Sequence, residues 1–450
     1  MIRRLILGFL YGTLLWSCTS EVELPPLMGK RENLVVEEVF SMTNQQSKNA
    51  ETEKFVPCSG KTPVQWLQYY CDSTHQLPAL GDSFTFQKKR EIPKLHQIHV
   101  STFSTQGAAP SPVCWRGQVY VLKGLKLYEG VVKEGIFTLL RELDLSGDVN
   151  AIDMDGMGGI AIHPKGLAFI TLGSSELVCV CLKNQRIMWR RSLECPAEGP
   201  PVLGNGKVIC VTRRNQTVAF RQKDGEILWS HQGAVEDLSL WGGSSAAISR
   251  GIVISNYSSN QVAALNEKTG TPIWTQNFAV SKSNRGKVPH QKASPVYVDE
   301  LVYVLTHSNL ACLVASSGQT LWQWPIGGYY TPLILGNFLF VVDQNGVLSR
   351  LDRYTGKVCW THTLPSHKED RWNVWIGPWY VNHQLLLWRY DGLMVAVDPF
   401  SPGTCGSESS LKSNIGVFLG HPLSASGVLL KDAMVLHSDD GGILSWKIAP

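Results

Sequence analysis

The chain has 450 residues, a formal net charge of +4 at pH 7 and 15 tryptophans. A chain of this length can bury a large core, either as two or three ordinary domains or as one repeat array. Its small positive charge is spread along the chain, which argues against nucleic acid as a partner.

Residues 1–17 have the pattern of a secretory signal peptide. Arg3 and Arg4 precede an apolar run that contains no acid and is too short for a comfortable membrane span. The four residues that end in Cys18 resemble a bacterial lipobox, although Trp16 is bulky for such a site. We therefore predict lipidation of Cys18, whose acyl chains would hold the protein to a membrane leaflet. The alternative is an ordinary signal peptide with an incidental cysteine.

Two segments follow the signal peptide. Residues 18–54 are polar and poor in aromatics, which predicts a lipidated flexible tether. Residues 55–109 form an N-terminal extension, in which residues 83–87 alternate like a lone strand. Cys58 and Cys71 flank an aromatic cluster, so a disulfide between them is possible in an oxidising compartment. Two unpaired thiols in a small buried patch remain the alternative.

A β-hairpin unit recurs from residue 110 to residue 450. A complete copy has an apolar strand, a glycine turn, and a tryptophan four residues after the glycine. A degenerate copy ends at Trp189, where Asn184-Gln185 replaces the glycine turn. The period is about 43 residues with no helical pattern, which is typical of β-propeller blades. The complete glycine–tryptophan pairs are Gly225 with Trp229, Gly270 with Trp274, Gly318 with Trp322, and Gly356 with Trp360.

The repeat predicts an all-β fold, an eight-bladed β-propeller with four strands in each blade. The first unit ends near Leu143, where leucine takes the place of the tryptophan. The eighth unit stops after three strand-like segments. The spare strand at 83–87 would supply the missing fourth strand, closing the ring and removing an open sheet edge.

These features together resemble a known family. The strand–turn pattern is similar to the PQQ-like repeat. The lipobox, the PPLMGKRE segment at 25–32 and the array over 110–450 resemble the BamB family, accessory lipoproteins of the outer-membrane β-barrel assembly machinery (the Bam complex). The resemblance implies a non-enzymatic scaffold without a cofactor, anchored in the outer membrane and facing the periplasm. Its implied partners are the periplasmic domains of BamA, other Bam subunits and nascent outer membrane proteins.

The family binds BamA through a leucine-serine-leucine-arginine-glycine loop between the third and fourth blades. Leucines exposed on such a loop need a partner to cover them, although these two could instead pack between blades. Trp241 replaces the arginine, and tryptophan can anchor an interface but cannot pair with a carboxylate. The family's two aspartates before the fifth blade are also absent, since Lys292 and its neighbours stand there. The matching residues here are Leu238, Ser239, Leu240, Trp241 and Gly242.

Two other functions stay open at this point. One is a propeller adaptor for a different envelope complex. The other is a PQQ-dependent dehydrogenase, which needs acids for a base and calcium and often has a disulfide between adjacent cysteines. No two cysteines are adjacent, and Asp343, Asp391 and Asp439 lie at strand ends, where turn chemistry explains them. No zinc-type spacing is present, so we predict no catalytic residue and no metal ligand.

Overall fold

The computed structural model describes the propeller and one short segment before it. The described residues are 74, 99–102, 110–147, 158–197, 199–234, 244–279, 293–368, 373–381, 384–400, 417–419, 421–423, 427–430, 433–439 and 442–447. All of them belong to one compact unit, Gln46–Pro450. Their regular structure is β throughout, and no helix among them is long and apolar enough to cross a membrane.

The strands form eight sheets of four strands each, which confirms the predicted eight-bladed propeller. β1 (His99–Thr102) comes before the first complete blade. Blades 1 to 4 contain β2 (Val113–Trp115), β3 (Gln118–Lys123), β4 (Lys126–Lys133), β5 (Ile136–Asp144); β6 (Gly159–His163), β7 (Leu167–Leu172), β8 (Glu176–Cys181), β9 (Arg186–Ser192); β10 (Val202–Gly204), β11 (Lys207–Val211), β12 (Gln216–Arg221), β13 (Ile227–Gln232); β14 (Ala247–Ser249), β15 (Ile252–Asn256), β16 (Gln261–Asn266) and β17 (Pro272–Asn277).

The second half of the ring has the same organisation. Blades 5 to 8 contain β18 (Val296–Val298), β19 (Leu301–Leu305), β20 (Leu310–Val314), β21 (Thr320–Trp324); β22 (Leu333–Leu335), β23 (Phe338–Val342), β24 (Val347–Asp352), β25 (Val358–Thr363); β26 (Trp375–Val381), β27 (Gln384–Arg389), β28 (Leu393–Val397), β29 (Val417–Phe418); β30 (Val428–Leu429), β31 (Ala433–His437) and β32 (Gly442–Lys447).

The first strand of each blade is the innermost one. In blades 1 to 7 the four strands pair antiparallel in chain order. The first strands of neighbouring blades contact each other, as β6 does with β2 and β10. Their side chains are almost all buried. The axis of the propeller is therefore lined by these short apolar strands, and the core lies between successive blades.

An N-terminal strand closes the ring, as predicted, but it is not the expected segment. The eighth sheet has the order β1-β32-β31-β30, so β1 is its outermost strand. The predicted strand at 83–87 lies outside the described residues. Ser445 of β32 fastens blade 8 to blade 1, because its Oγ donates to the Gly135 carbonyl at 2.8 Å and accepts from the Phe137 amide at 3.1 Å.

A β-bulge recurs at the same position in blades 2 to 6. Each repeat tryptophan faces a residue of the third strand just before the register shifts, as Trp229 faces Ala219. The residue before the tryptophan therefore has no cross-strand partner and turns outward. The exposed fractions of these side chains are 54% for Met188, 36% for Leu228, 43% for Ile273 and 46% for Leu321.

Blade 1 departs from this pattern, and the prediction that Leu143 replaces the tryptophan is wrong. The register shift in blade 1 places Arg141 opposite Glu129, in the tryptophan position. Arg141 Nη2 donates to the buried Glu129 at 2.6 Å, and Gln185 Nε2 of blade 2 donates to the same carboxylate at 3.4 Å. Glu129, held by Arg141 within blade 1, thus joins blade 1 to blade 2 through Gln185, where an indole ring joins later blades.

Candidate partner-binding face

The strand order gives the propeller two different faces. Because four antiparallel strands run back and forth, the chain leaves the fourth strand and enters the next blade on one face. We call this the connection face, and it also carries the turns between second and third strands. The opposite face, called the turn face, carries the other two turns of each blade, including the glycine turns.

The repeat tryptophans join neighbouring blades toward the turn face. Each ring lies over the glycine turn of the next blade, so a Cβ added at that glycine would lie within 2.5 to 2.7 Å of the ring. Trp189, Trp229, Trp274 and Trp322 cover Gly225, Gly270, Gly318 and Gly356. This close approach explains why the sequence has glycine at these turns.

Each indole N–H is also satisfied by the next blade. Trp229 Nε1 donates to the Glu267 carbonyl at 2.9 Å, and Trp274 Nε1 donates to the Ala315 carbonyl at 2.7 Å. Trp360 Nε1 reaches the Pro399 carbonyl of blade 7 at 3.2 Å. Trp229 and Trp274 are buried and Trp360 is half-buried, and each indole N–H has a partner, so these tryptophans hold the ring together.

The predicted partner loop, Leu238 to Gly242, belongs to the connection between β13 and β14. Residues 235–243 lie outside the described residues, as do Cys18, Cys58, Cys71 and Lys292. The roles assigned to them therefore stay predictions. The two ends of this connection, residues 233–234 and 244–246, are described.

Hydrogen bonds with Asn215 of blade 3 hold the first end of the connection. The Gly233 amide donates to the Asn215 carbonyl at 2.8 Å. Asn215 Nδ2 donates to the Ala234 carbonyl at 2.8 Å, and its Oδ1 accepts from the amide and hydroxyl of Ser258. One buried asparagine thus joins the connection to the turns of blades 3 and 4.

A buried tyrosine supports the same end. A Cβ at Gly233 would lie 2.5 Å from the ring of Tyr257, so only glycine fits here. The Tyr257 hydroxyl is bonded to Thr217 Oγ1 at 2.7 Å, and burial raises the pKa of Tyr257 to about 12. The ring of His231 lies 6.5 Å from that of Tyr257, and burial lowers the pKa of His231. Both groups are therefore uncharged at neutral pH.

The second end of the connection joins a chain of hydroxyls around the axis. Ser245 Oγ donates to the Pro200 carbonyl at 2.7 Å. The Ser245 amide donates to Ser294 Oγ, and the Ser294 amide donates to Thr331 Oγ1, both at 2.9 Å. Blades 3 to 6 are thus joined in order. These residues were not predicted from the sequence, although a serine or threonine two positions before the first strand of blades 4, 5 and 6 was a visible signal.

The carboxylates singled out in the sequence serve turns and ion pairs. Asp343 Oδ1 accepts from the amides of Asn345 and Val347, at 2.9 and 2.8 Å. Asp391 makes a bidentate pair with Arg389. Within the described part of the chain, no group of three or more histidine, cysteine, aspartate or glutamate side chains could hold a metal ion.

The fold and its repeats define the class: the chain is an eight-bladed β-propeller of PQQ-like repeats. A family model described as "Outer membrane protein assembly factor BamB" matches residues 142–362. The BamB of Moranella endobia (strain PCIT) is 24% identical over 249 residues, which cover 55% of this chain and 60% of that protein. The BamB of Yersinia pestis is 26% identical over 269 residues, which cover 59% of this chain and 66% of that protein. The chain thus spans less than two thirds of each of these relatives.

Solved structures agree in fold. The crystal structure of BamB from Moraxella catarrhalis superposes with a TM-score of 0.61 at 15% identity, covering 78% of this chain and 99% of that one. Quinohemoprotein alcohol dehydrogenase from Comamonas testosteroni gives a TM-score of 0.63 at 11% identity, covering 91% and 84%. At these identities the structures show the fold alone. The likeness to BamB proteins rests on the sequence matches, which cover about half of the chain.

Proposed function

We propose that this protein is a non-enzymatic scaffold subunit of the outer-membrane β-barrel assembly machinery. It is anchored by lipid on Cys18, faces the periplasm and binds the periplasmic domains of BamA. The observation that carries the proposal is the BamB family match over residues 142–362, which includes the whole connection between β13 and β14. Other Bam subunits and nascent outer membrane proteins are further partners under this proposal.

The loop from Leu238 to Gly242 is the proposed BamA contact. Its described ends support this role, because hydrogen bonds with Asn215, Pro200 and Ser294 hold them to blades 3 and 5. Ends that are already ordered reduce the entropy lost when a partner binds. Leu238, Leu240 and Trp241 supply apolar side chains of the kind that form the centre of an interface.

The second candidate is a PQQ-dependent dehydrogenase, which the likeness to the Comamonas testosteroni enzyme favours. The described acids do not support it, since Asp343 and Asp391 are occupied by their own turns. Purified protein that carries calcium and shows quinone absorbance would favour the enzyme. An adaptor role in another envelope complex would instead appear as a different partner.

The test is capture of the tagged protein from its own envelope in mild detergent, followed by mass spectrometry. We expect BamA to be recovered with the wild-type protein and lost when Leu238 and Leu240 are both changed to arginine. The matched control changes Leu139 and Leu140 to arginine, since these leucines are 42% and 49% exposed on β5. Retention of BamA by the loop variant, or equal loss in both variants, would contradict the proposed contact.

A further inference from the structure

Two blade-to-blade connections flank blade 4 on the connection face. One leaves β13 and the other leaves β17, and both have described residues where they begin. We call residues 233–234 the first stem and residues 277–279 the second stem. The two stems are more than 40 residues apart in sequence but border the same blade.

One side chain of blade 4 touches both stems. The Ala234 amide donates to Gln261 Oε1 at 2.8 Å. Gln261 Nε2 donates to Asn277 Oδ1 at 3.1 Å. Gln261 is the first residue of β16, and Asn277 is its cross-strand neighbour at the end of β17. The amide group of Gln261 therefore bridges the beginning of one connection to the beginning of the next.

The repeat makes this bridge specific to blade 4 among blades 3 to 6. The residue equivalent to Gln261 is Gln216 in blade 3, Leu310 in blade 5 and Val347 in blade 6. Leucine and valine cannot form such a bridge. In the described contacts, the side chain of Gln216 bonds to neither stem. Its cross-strand neighbour Gln232 donates to the Arg214 carbonyl of blade 3 and to the Gly233 carbonyl of the first stem, without reaching the second stem.

Other bonds fix the stems to the rigid part of the ring. Asn215 Nδ2 holds the Ala234 carbonyl from blade 3, and Asn309 Nδ2 holds the Ala279 carbonyl from blade 5, each at 2.8 Å. The far ends of the two connections are also joined, because the Ser245 amide donates to Ser294 Oγ. The connections are thus linked to each other where they begin and where they end.

We propose that Gln261 is a positioning residue, which couples the two stems so that this part of the connection face is presented to a protein partner as one unit. The coupling follows from bonds within this chain. Only its consequence for a partner rests on the function proposed above. A displacement of one stem is therefore transmitted to the other through the side chain of Gln261.

Hydrogen exchange on the full chain tests the coupling without any partner. Gln261→Leu removes both bonds, and leucine occupies the equivalent position naturally at Leu310. We expect faster exchange of the Ala234 and Phe278 amides, on the order of three- to tenfold for the loss of one modest hydrogen bond. Gln216→Leu is the matched control and should leave both amides unchanged. Unchanged exchange at either stem in Gln261→Leu would overturn the coupling.

A conservative variant separates positioning from packing. In Gln261→Glu a carboxylate accepts from the Ala234 amide and from the Asn277 amide group after that group rotates. Exchange at both stems should therefore return close to the wild-type rate. Exchange as fast as in Gln261→Leu would show that these hydrogen bonds do not protect the stem amides, and would overturn the proposal.

Binding to the purified periplasmic region of BamA gives the functional readout. We expect Gln261→Leu to weaken binding about three- to tenfold with an unchanged Tm, and Gln216→Leu to bind like wild type. Wild-type affinity in Gln261→Leu would overturn the consequence for the partner. If the wild-type protein itself does not bind this probe, the proposed function fails, while the exchange experiment still decides the coupling.

Discussion

At the scale of single residues, the glycine turns show how a repeat residue can be required by its neighbour. Gly270 has a φ of +73°, and a Cβ there would lie 2.5 Å from the ring of Trp229. Gly206 has a similar φ of +77°, but nothing lies within 4 Å of its Cβ position. Both glycines have a backbone conformation that disfavours other residues, but only Gly270 also has a neighbouring ring that leaves no room for a Cβ.

This difference predicts unequal costs for the same substitution. Gly206→Ala should lose about 1 kcal/mol in the free energy of unfolding, from the left-handed backbone alone. Gly270→Ala should lose about 2–4 kcal/mol, because displacement of the Trp229 ring adds a packing cost. Denaturant unfolding of the two variants measures the difference. Equal losses would show that the indole does not constrain the turn.

A second prediction at this scale concerns pH. Burial lowers the pKa of His231 from its ordinary value of 6.5, so the folded protein binds this proton less readily than the unfolded chain. The contribution of neutral His231 is complete above the unfolded pKa and is lost as pH falls toward the folded pKa. The free energy of unfolding should therefore fall below about pH 6.5.

Urea unfolding at several pH values between 7.5 and 5 checks this dependence. We expect His231→Gln to fall less steeply than wild type over the same interval. Burial also lowers the pKa of His362, so part of the slope should remain in the variant. Parallel curves for wild type and His231→Gln would contradict the assignment.

At the scale of elements, the β-bulge decides which residue meets the next blade. The register shift in blade 1 places Arg141, not Leu143, at the position that the tryptophan has in blades 2 to 6. Its partner Glu129 is buried, with a side chain 3% exposed, while Arg141 is 44% exposed. Lys126 and Glu142 on the same hairpin form a pair whose side chains are 48% and 41% exposed.

These two ion pairs should differ in their contribution to stability. Arg141→Ala leaves the Glu129 carboxylate buried without its cation, and should cost about 2 kcal/mol in the free energy of unfolding. Lys126→Ala breaks a solvent-exposed pair, whose attraction water screens, and should change the free energy of unfolding far less than Arg141→Ala does. Thermal and denaturant unfolding measure both. A cost for Arg141→Ala as small as that for Lys126→Ala would mean that water replaces the arginine.

At the scale of the whole molecule, stability depends on the closure of the ring. β1 completes blade 8, and Ser445 joins that blade to blade 1. Without β1, the last blade would present an open edge formed by β32.

Replacing residues 99–102 with a glycine-serine segment of equal length should therefore lower the Tm by several degrees and promote aggregation. The same replacement at residues 51–54, in the predicted tether, is the control and should leave the Tm unchanged. Calorimetry with light scattering measures both effects. A wild-type Tm after loss of residues 99–102 would show that the ring does not need this strand.

Much of the architecture could be predicted because the repeat is local. Alternating strands, a glycine four residues before a tryptophan and a period near 43 residues lie within single blades. The Trp229 unit and its three glycine-bearing relatives therefore identified the blades. The tryptophan pattern gave a wrong prediction in blade 1. This hairpin has no tryptophan to mark the β-bulge, so the sequence does not show that Arg141 takes the tryptophan's position.

The all-β class, the number of blades and the need for an N-terminal closing strand can be predicted from short-range pattern and strand counting. That His99–Thr102 closes the ring, and that Gln261 bridges the two stems, becomes visible once the blades are packed together. The physical reason is that both depend on bonds between segments distant in the chain. Sequence spacing does not encode such pairings, whereas the packing of one blade against the next selects them.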